Sequence, residues 1–246
     1  HRIYIRGILY IMAKALNEVY PEALLSVNYQ LSSAMFCKID NMEITDEMIA
    51  NVKARMQEII NQNLEIRKVV MTKEEAEEFY SNEKTLRGIV QIDNTQKEGV
   101  SLYYCEDYFN YFFGVMPVTT AYTDVFDVIK YGDGFLVRYP SAEKPNELTN
   151  YKSNKKLLST LEEYEDIHRV LQIDTLYKLN KEIKEGRTSN VILLSEALHE
   201  KKMANIADDI AKRKNVKMVL IAGPSSSGKT TFAKRLGVEL RLNGLK

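Results

Sequence analysis

The segment Gly223-Pro-Ser-Ser-Ser-Gly-Lys-Thr most narrowly constrains what this chain can fold into. It matches the pattern G-x-x-x-x-G-K-[ST], in which a glycine at each end lets the backbone curl closely round a phosphate group. An apolar run over residues 216–221 precedes it, and residues 231–242 have a helical pattern. The order strand, loop, helix predicts the first β-loop-α unit of an α/β domain of the P-loop NTPase class.

The residue types in this loop indicate how it would hold a nucleotide. Backbone N–H groups of residues 225–230 can converge on an anion, helped by the N-terminus of the next helix. The Lys229 ammonium would lie between the β- and γ-phosphates, and the Thr230 hydroxyl would bind Mg²⁺. We therefore predict Lys229 as catalytic and ATP or GTP with Mg²⁺ as cofactors. The predicted nucleotide-binding residues are Gly223, Ser225, Ser226, Ser227, Gly228, Lys229, Thr230 and Thr231.

Both ends of the sequence suggest a fragment. It starts at His1 rather than Met and reaches Lys246 soon after the loop. Phosphoryl transfer also needs a second acidic group for the metal and a group that orients the acceptor. We expect these groups beyond residue 246, and we expect the fragment alone to be inactive as a kinase.

Composition excludes several other classes of protein. Lysine plus arginine and aspartate plus glutamate both number 34, so the net charge of zero does not indicate a strongly basic nucleic-acid binder. Only Cys37 and Cys105 occur, which excludes a disulfide scaffold and favours a reducing cytoplasm. No apolar run reaches the roughly 18–20 residues of a membrane-spanning helix.

Hydrophobic periodicity divides the chain into three parts. Residues 1–140 are predicted to form an α+β domain, 141–195 a linker with connector helices, and 196–246 the start of the P-loop domain. The predicted helices are 3–19, 45–61, 72–80, 155–186, 195–213 and 231–242. The predicted strands are 24–31, 35–39, 66–71, 100–104, 108–113, 135–139 and 216–221. Residues 118–129 fit neither pattern clearly.

Two stretches resemble known families. Val219-Leu-Ile-Ala-Gly-Pro-Ser-Ser-Ser-Gly-Lys-Thr-Thr-Phe-Ala resembles the start of a uridine kinase-like domain, in the phosphoribulokinase/uridine kinase group. Residues 1–140 resemble the second, editing-type domain of threonyl-tRNA synthetase, which alanyl-tRNA synthetase shares. The residues that carry this likeness are Gly7-Ile-Leu-Tyr-Ile-Met-Ala-Lys-Ala-Leu-Asn-Glu-Val-Tyr-Pro and Glu106-Asp-Tyr-Phe-Asn-Tyr-Phe-Phe-Gly-Val-Met-Pro.

The second resemblance implies a zinc site that this sequence lacks. Synthetase domains of this type carry an H-x-x-x-H pair on the first helix and a later Cys and His. The matching positions here are Arg6, Tyr10, Phe112 and Met116, whose side chains are poor zinc ligands. The departure predicts no zinc and no aminoacyl-tRNA deacylation.

Other reactive residues have simpler structural explanations. Cys37 and Cys105 are expected to be buried small hydrophobes rather than nucleophiles, and His168 and His199 to be surface histidines. The aromatic stretch 103–113 favours strand burial over base stacking. Asp107 and Asn110 keep polar groups where the synthetase-like site would lie, which leaves room for a remodelled pocket.

Two functions follow from these resemblances. The first is an ATP- or GTP-dependent nucleoside kinase that phosphorylates uridine or a related nucleoside, with a metal-free, regulatory N-terminal domain. The second is a nucleotide-regulated protein that binds RNA, such as tRNA, or a metabolite. No membrane partner is expected, and pairing of the lone strand with a neighbour's edge would give an oligomer.

Overall fold

The computed structural model describes residues 1–81, 92, 99–151 and 155–245. The chain forms two compact units, His1–Asn154 and Lys155–Lys246. Within the described ranges, no helix has both the length and the apolar composition required to cross a membrane.

The first unit is built round an amphipathic helix and a four-stranded antiparallel sheet. Helix α1 (Arg2–Val19) buries the apolar stripe predicted from its spacing. Strands β1 (Leu25–Gln30), β2 (Ala34–Ile39), β6 (Asp127–Tyr131) and β7 (Gly134–Arg138) form a sheet of order β1-β2-β7-β6. Helix α1, this sheet and α2 (Asp46–Asn61) enclose the main core.

Local sequence signals explain where two helices begin. Thr45 caps α2, because its hydroxyl accepts a hydrogen bond from the Met48 amide at 3.1 Å. A capping box starts α3 (Lys73–Ser81): the Thr72 hydroxyl accepts from the Glu75 amide, and the Glu75 carboxylate accepts from the Thr72 amide. These helix starts confirm the predictions.

A smaller antiparallel sheet completes the first unit. Strands β3 (Arg67–Thr72), β4 (Gly99–Cys105) and β5 (Tyr108–Tyr111) pair in that order. One face packs against α3 through Tyr80, Val100 and Leu102. Residues 118–129 fitted neither the helix nor the strand pattern in sequence. In the structure they include a short 3₁₀ helix (Thr120–Thr123), which is followed by β6.

The second unit is helical, and two helix predictions were wrong there. The helix predicted over 195–213 begins at Thr188. Residues 155–186 form two helices, α4 (Lys155–Val170) and α5 (Leu176–Lys184), rather than one. The helix ends because Gln172 has a φ of 57°, and the Ile173 amide bonds back to the His168 carbonyl. The Thr175 hydroxyl then caps α5 by accepting from the Lys178 amide.

The apolar run before the glycine loop does not form the predicted strand. Helix α6 (Thr188–Lys212) precedes it and α7 (Lys229–Leu242) follows the loop, but residues 216–221 have no strand assignment. A strand is defined by hydrogen bonds to a neighbouring strand, and none of the described strands pairs with this segment. The β part of the predicted β-loop-α unit is therefore corrected to an unpaired segment.

Candidate functional site

The loop of residues 223–230 is held in a tight turn by its backbone. Ser226 and Gly228 have φ angles of 60° and 78°, both in the left-handed region. Where left-handed and right-handed residues alternate in a loop, successive backbone N–H groups point to the same side. At Gly223, an added Cβ would lie 2.8 Å from the Ser227 Oγ. Glycine is therefore favoured at 223 by close approach and at 228 by conformation.

Lys229, the first residue of α7, lies over this turn. Its Nζ donates a hydrogen bond to the Pro224 carbonyl at 2.5 Å. The Lys229 side chain is half-buried, whereas Ser225, Ser226 and Thr230 are exposed. The helix N-terminus adds the partial positive charge of its free N–H groups. A cation and a helix start therefore adjoin the same turn, an arrangement suited to binding an anion.

A cavity of about 540 Å³ opens beside the loop. Five of the predicted nucleotide-binding residues line it: Gly223, Ser227, Gly228, Lys229 and Thr231. Ser225, Ser226 and Thr230 are on the loop or the first turn of α7 but outside this lining. Six further lining residues were not predicted from the sequence: His199, Ile221, Ala222, Pro224, Phe232 and Arg235. The four-residue spacing of Thr231 and Arg235 on one helix face was the available signal.

Helix α6 forms the opposite wall through contacts with α7. Met203, Ala207 and Leu236 form the buried contact between these helices. An ion pair joins Glu200 to Arg235 at 2.8 Å, and the Asn243 amide donates to Asp208 at 2.9 Å. Residue numbers rise together along both helices in these pairs, so α6 and α7 run parallel.

In the first unit, three of the four positions that match the synthetase metal set come together. Tyr10, Phe112 and Met116 belong to one apolar cluster with Cys105. The Tyr10 and Phe112 ring centroids are 5.8 Å apart. Burial raises the pKa of the fully buried Tyr10 phenol well above its usual range, with a smaller contribution from Tyr108.

Arg6, the fourth of these positions, is not part of this cluster and instead contacts the backbone at Gly114 and Val115. Its Nη1 donates to the Val115 carbonyl at 3.1 Å. Gly114 has a φ of 85°, and a Cβ there would lie 2.7 Å from the Arg6 Cζ. The guanidinium therefore lies close to a backbone position where the positive φ and the short distance both favour glycine.

Lys14, one turn beyond Tyr10, is a buried cation that sequence reasoning did not identify. Only 2% of the residue is exposed, and its Nζ lies 2.7 Å from Glu18 and 3.3 Å from Glu106. Its Nζ also donates to the Cys105 carbonyl at 3.3 Å. These contacts satisfy the charge and fasten α1 to the turn between β4 and β5.

A second cavity, of about 480 Å³, lies between the small sheet and the segment 112–118. Lys68, Ser101 and the Tyr103 side chain lie on its sheet side, and the Tyr103 hydroxyl donates to the Gly114 carbonyl at 2.5 Å. Phe113 on its rim is 68% exposed. Apolar walls with a few polar groups are typical of small-ligand sites.

The cysteines and histidines considered from the sequence lie where a structural role was expected. Cys37 and Cys105 are buried and free, which confirms their interpretation as small core residues. Burial raises the pKa of the Cys105 thiol to about 11, against a smaller lowering by Lys14. His168 and His199 are exposed, as predicted. No group of three His, Cys, Asp or Glu side chains comes together as a metal site in the described part of the chain.

No protein-family model matches this sequence. It is 28% identical over 96 residues to a threonine–tRNA ligase of Clostridium acetobutylicum, a match that covers 39% of this chain and 15% of the ligase. It is 26% identical over 163 residues to the threonine–tRNA ligase of Thermoplasma volcanium, covering 63% of this chain and 24% of the ligase. A threonine–tRNA ligase of Clostridium kluyveri is 23% identical over 96 residues.

These matches are partial, and the chain spans about a quarter or less of the curated relatives. They support a domain similar to part of a threonine–tRNA ligase. The α+β architecture of helices and antiparallel sheets is compatible with that likeness.

Proposed function

We propose that this chain carries the nucleotide-binding start of a nucleoside kinase. The enzyme transfers the γ-phosphate of ATP or GTP to a hydroxyl of uridine or a related nucleoside. Its N-terminal domain holds no zinc and regulates the kinase. One observation supports this function above all: a glycine-bounded turn, two left-handed residues and the Lys229 ammonium adjoin one cavity at the start of a helix.

The residues present fit a Mg²⁺–nucleotide complex. Because Gly223 has no side chain, a space remains beside its backbone that a Cβ would fill. A phosphate oxygen needs such a space to approach the backbone N–H groups. Lys229 binds the β- and γ-phosphates, and the hydroxyl of Thr230 is a hard oxygen ligand of the kind Mg²⁺ prefers. Bound Mg²⁺ neutralises charge on the phosphates. The backbone of Gly223, Ser225–Ser227 and Gly228, with the Thr231 hydroxyl, orients them.

The test is phosphoryl transfer by the complete protein, with a panel of nucleosides and either ATP or GTP. We expect phosphorylation of uridine or cytidine, and we expect Lys229→Ala to lower kcat/KM at least 100-fold. Lys234→Ala removes an exposed lysine from the same helix and is the matched control. Transfer to none of the nucleosides by a folded protein would refute the kinase proposal.

A second candidate is a nucleotide-regulated protein that binds RNA. Two observations favour it: the curated relatives are tRNA ligases, and an aromatic cavity containing Lys68 lies beside Phe112 and Met116. Aromatic side chains stack on unpaired bases, and cations contact the phosphates. This candidate predicts that the intact chain binds tRNA with an affinity that falls as salt rises and changes when ATP is added. A salt-insensitive or undetectable interaction would exclude it.

A further inference from the structure

His199 belongs to the helix before the glycine loop, yet it shares a cavity with Lys229. Helix α6 supplies His199, and α7 supplies Lys229, Thr231 and Arg235. Among the residues that the structure describes, the imidazole is the one titratable ring that lines this cavity, which also holds an ammonium and a guanidinium. Nothing in the G-x-x-x-x-G-K-[ST] pattern specifies this position.

The packing of the two helices fixes where His199 lies. Met203, one turn later on α6, is buried against Leu236 and Phe232. Glu200, the next residue, pairs with Arg235. These contacts, made by residues just C-terminal to His199, place this turn of α6 beside the first two turns of α7. Rigid placement of this kind is what a positioning residue requires.

We infer that His199 is a nucleotide-positioning residue, through which helix α6 forms one wall of the nucleoside triphosphate site. This inference rests on the proposed function. An imidazole beside a bound triphosphate gains a favourable interaction when it is protonated, because the ligand brings several negative charges into the same cavity. The neutral ring remains able to donate one hydrogen bond.

The charged groups near His199 determine how strongly its protonation would favour the binding of a triphosphate. Lys229 and Arg235 face the cavity from α7. On its own helix, Glu196 and Lys202 lie one turn away on either side, and Lys202 pairs with Glu163 of α4 at 2.8 Å. Glu200 is engaged by Arg235 and Glu163 by Lys202, and a bound triphosphate would bring several further negative charges beside the ring.

Proton NMR of the intact chain tests this assignment directly. The chain has three histidines, so His199→Gln and His168→Gln assign two sets of imidazole signals and leave the third to His1. Saturation with Mg²⁺–ATP is expected to move the His199 signals and leave those of His168 in place. In Lys229→Ala, which we expect not to bind ATP, the His199 signals should not move.

The pH dependence of binding gives a second readout that a structural role would not produce. The measurements span about pH 7.5 to 6, the range in which histidine serves as a proton switch in proteins. We expect the affinity of the native chain for Mg²⁺–ATP, relative to that of His199→Gln, to rise roughly three- to tenfold over this range. The ratio cancels protonation of ATP itself. His168→Gln should bind and titrate like the native chain.

The outcomes separate this inference from the proposed function. If ATP binds but the His199 signals stay in place and His199→Gln matches the native affinity at every pH, the inference is wrong and the kinase proposal survives. If the folded native chain does not bind ATP at all, both fail. Movement of the His199 signals together with a flattened pH profile in His199→Gln establishes the assignment.

Discussion

The Tyr10 hydroxyl donates a hydrogen bond to the Tyr103 carbonyl at 2.9 Å, and this contact ties the first helix to the second sheet. The same hydroxyl lies 3.2 Å from the Tyr108 carbonyl on the neighbouring strand. At a position where the synthetase resemblance implies a histidine, the chain carries a buried phenol that holds two strands. Tyr10 therefore has a structural role at this position.

Tyr10→Phe should therefore destabilise the protein without altering nucleotide binding. Removing the hydroxyl leaves buried backbone carbonyls with one partner fewer, which costs about 1–2 kcal/mol of unfolding free energy. Urea denaturation measures the loss. Tyr122→Phe, at a side chain 52% exposed, is the control and should change stability by less than about 0.5 kcal/mol. Equal stability of Tyr10→Phe and the native chain would contradict the structural role.

The native chain should purify without stoichiometric zinc. Phe112, Met116 and Tyr10 supply no imidazole, thiolate or carboxylate, and Arg6 is engaged with Val115. Elemental analysis after dialysis against a buffer free of chelator should find well under one zinc per chain. One tightly held zinc per chain would show that other residues form a metal site.

The Glu18 carboxyl makes the free energy of unfolding depend on pH in the acid range. Burial acts to raise the pKa of this carboxyl, but hydrogen bonds from Lys14 and Arg55 outweigh it and hold the pKa below its usual value near 4.5. A carboxyl with a lowered folded-state pKa stabilises the fold above the unfolded pKa. That contribution disappears as pH falls through the folded value.

Glu18→Gln should therefore flatten the loss of unfolding free energy below about pH 4.5 and lower stability at pH 7. Denaturant unfolding at a series of pH values from 7 to 3 measures both effects. Glu22→Gln, at an exposed carboxyl, is the control and should preserve the native slope. An unchanged slope in Glu18→Gln would refute this assignment.

Gly114→Ala should destabilise the segment beside the aromatic cavity. The new methyl group meets the Arg6 guanidinium at 2.7 Å, and the φ of 85° is strained for any residue with a Cβ. We expect a cost of about 1–3 kcal/mol. In the Arg6→Ala background the cost should fall by at least about 0.5 kcal/mol, because the clash is gone and only backbone strain remains. Additive effects would mean that the two residues are not in contact.

Replacing Gly228, just before α7, and Gly237, inside α7, with alanine should change stability in opposite directions. Gly228→Ala has room for its methyl group but must adopt a φ of 78°, which costs about 1–2 kcal/mol and should weaken ATP binding. Gly237→Ala lies inside α7 with open space round it and should stabilise the helix by about 0.5–1 kcal/mol. Thermal unfolding and an ATP titration of both variants measure these effects. Loss of ATP binding in Gly237→Ala would contradict a role confined to the loop.

Local signals in the sequence determined most helices and strands of the first unit. The three- and four-residue spacing of α1, the Thr45 cap and the Thr72 capping box depend on residues close together in the chain. Such signals are visible without a fold because the atoms that interact are separated by one helical turn. The glycine and lysine positions of the loop were identified in the same way.

Tertiary structure decided the rest, because those features depend on atoms far apart in the chain. Residues 216–221 have the composition of a strand, but strand formation requires a partner that composition cannot supply. The burial of Lys14 depends on Glu106, and the entry of His199 into the Lys229 cavity depends on how α6 packs against α7. The sequence alone predicted which residues would bind a phosphate, and only the packing showed which distant side chains share their cavity.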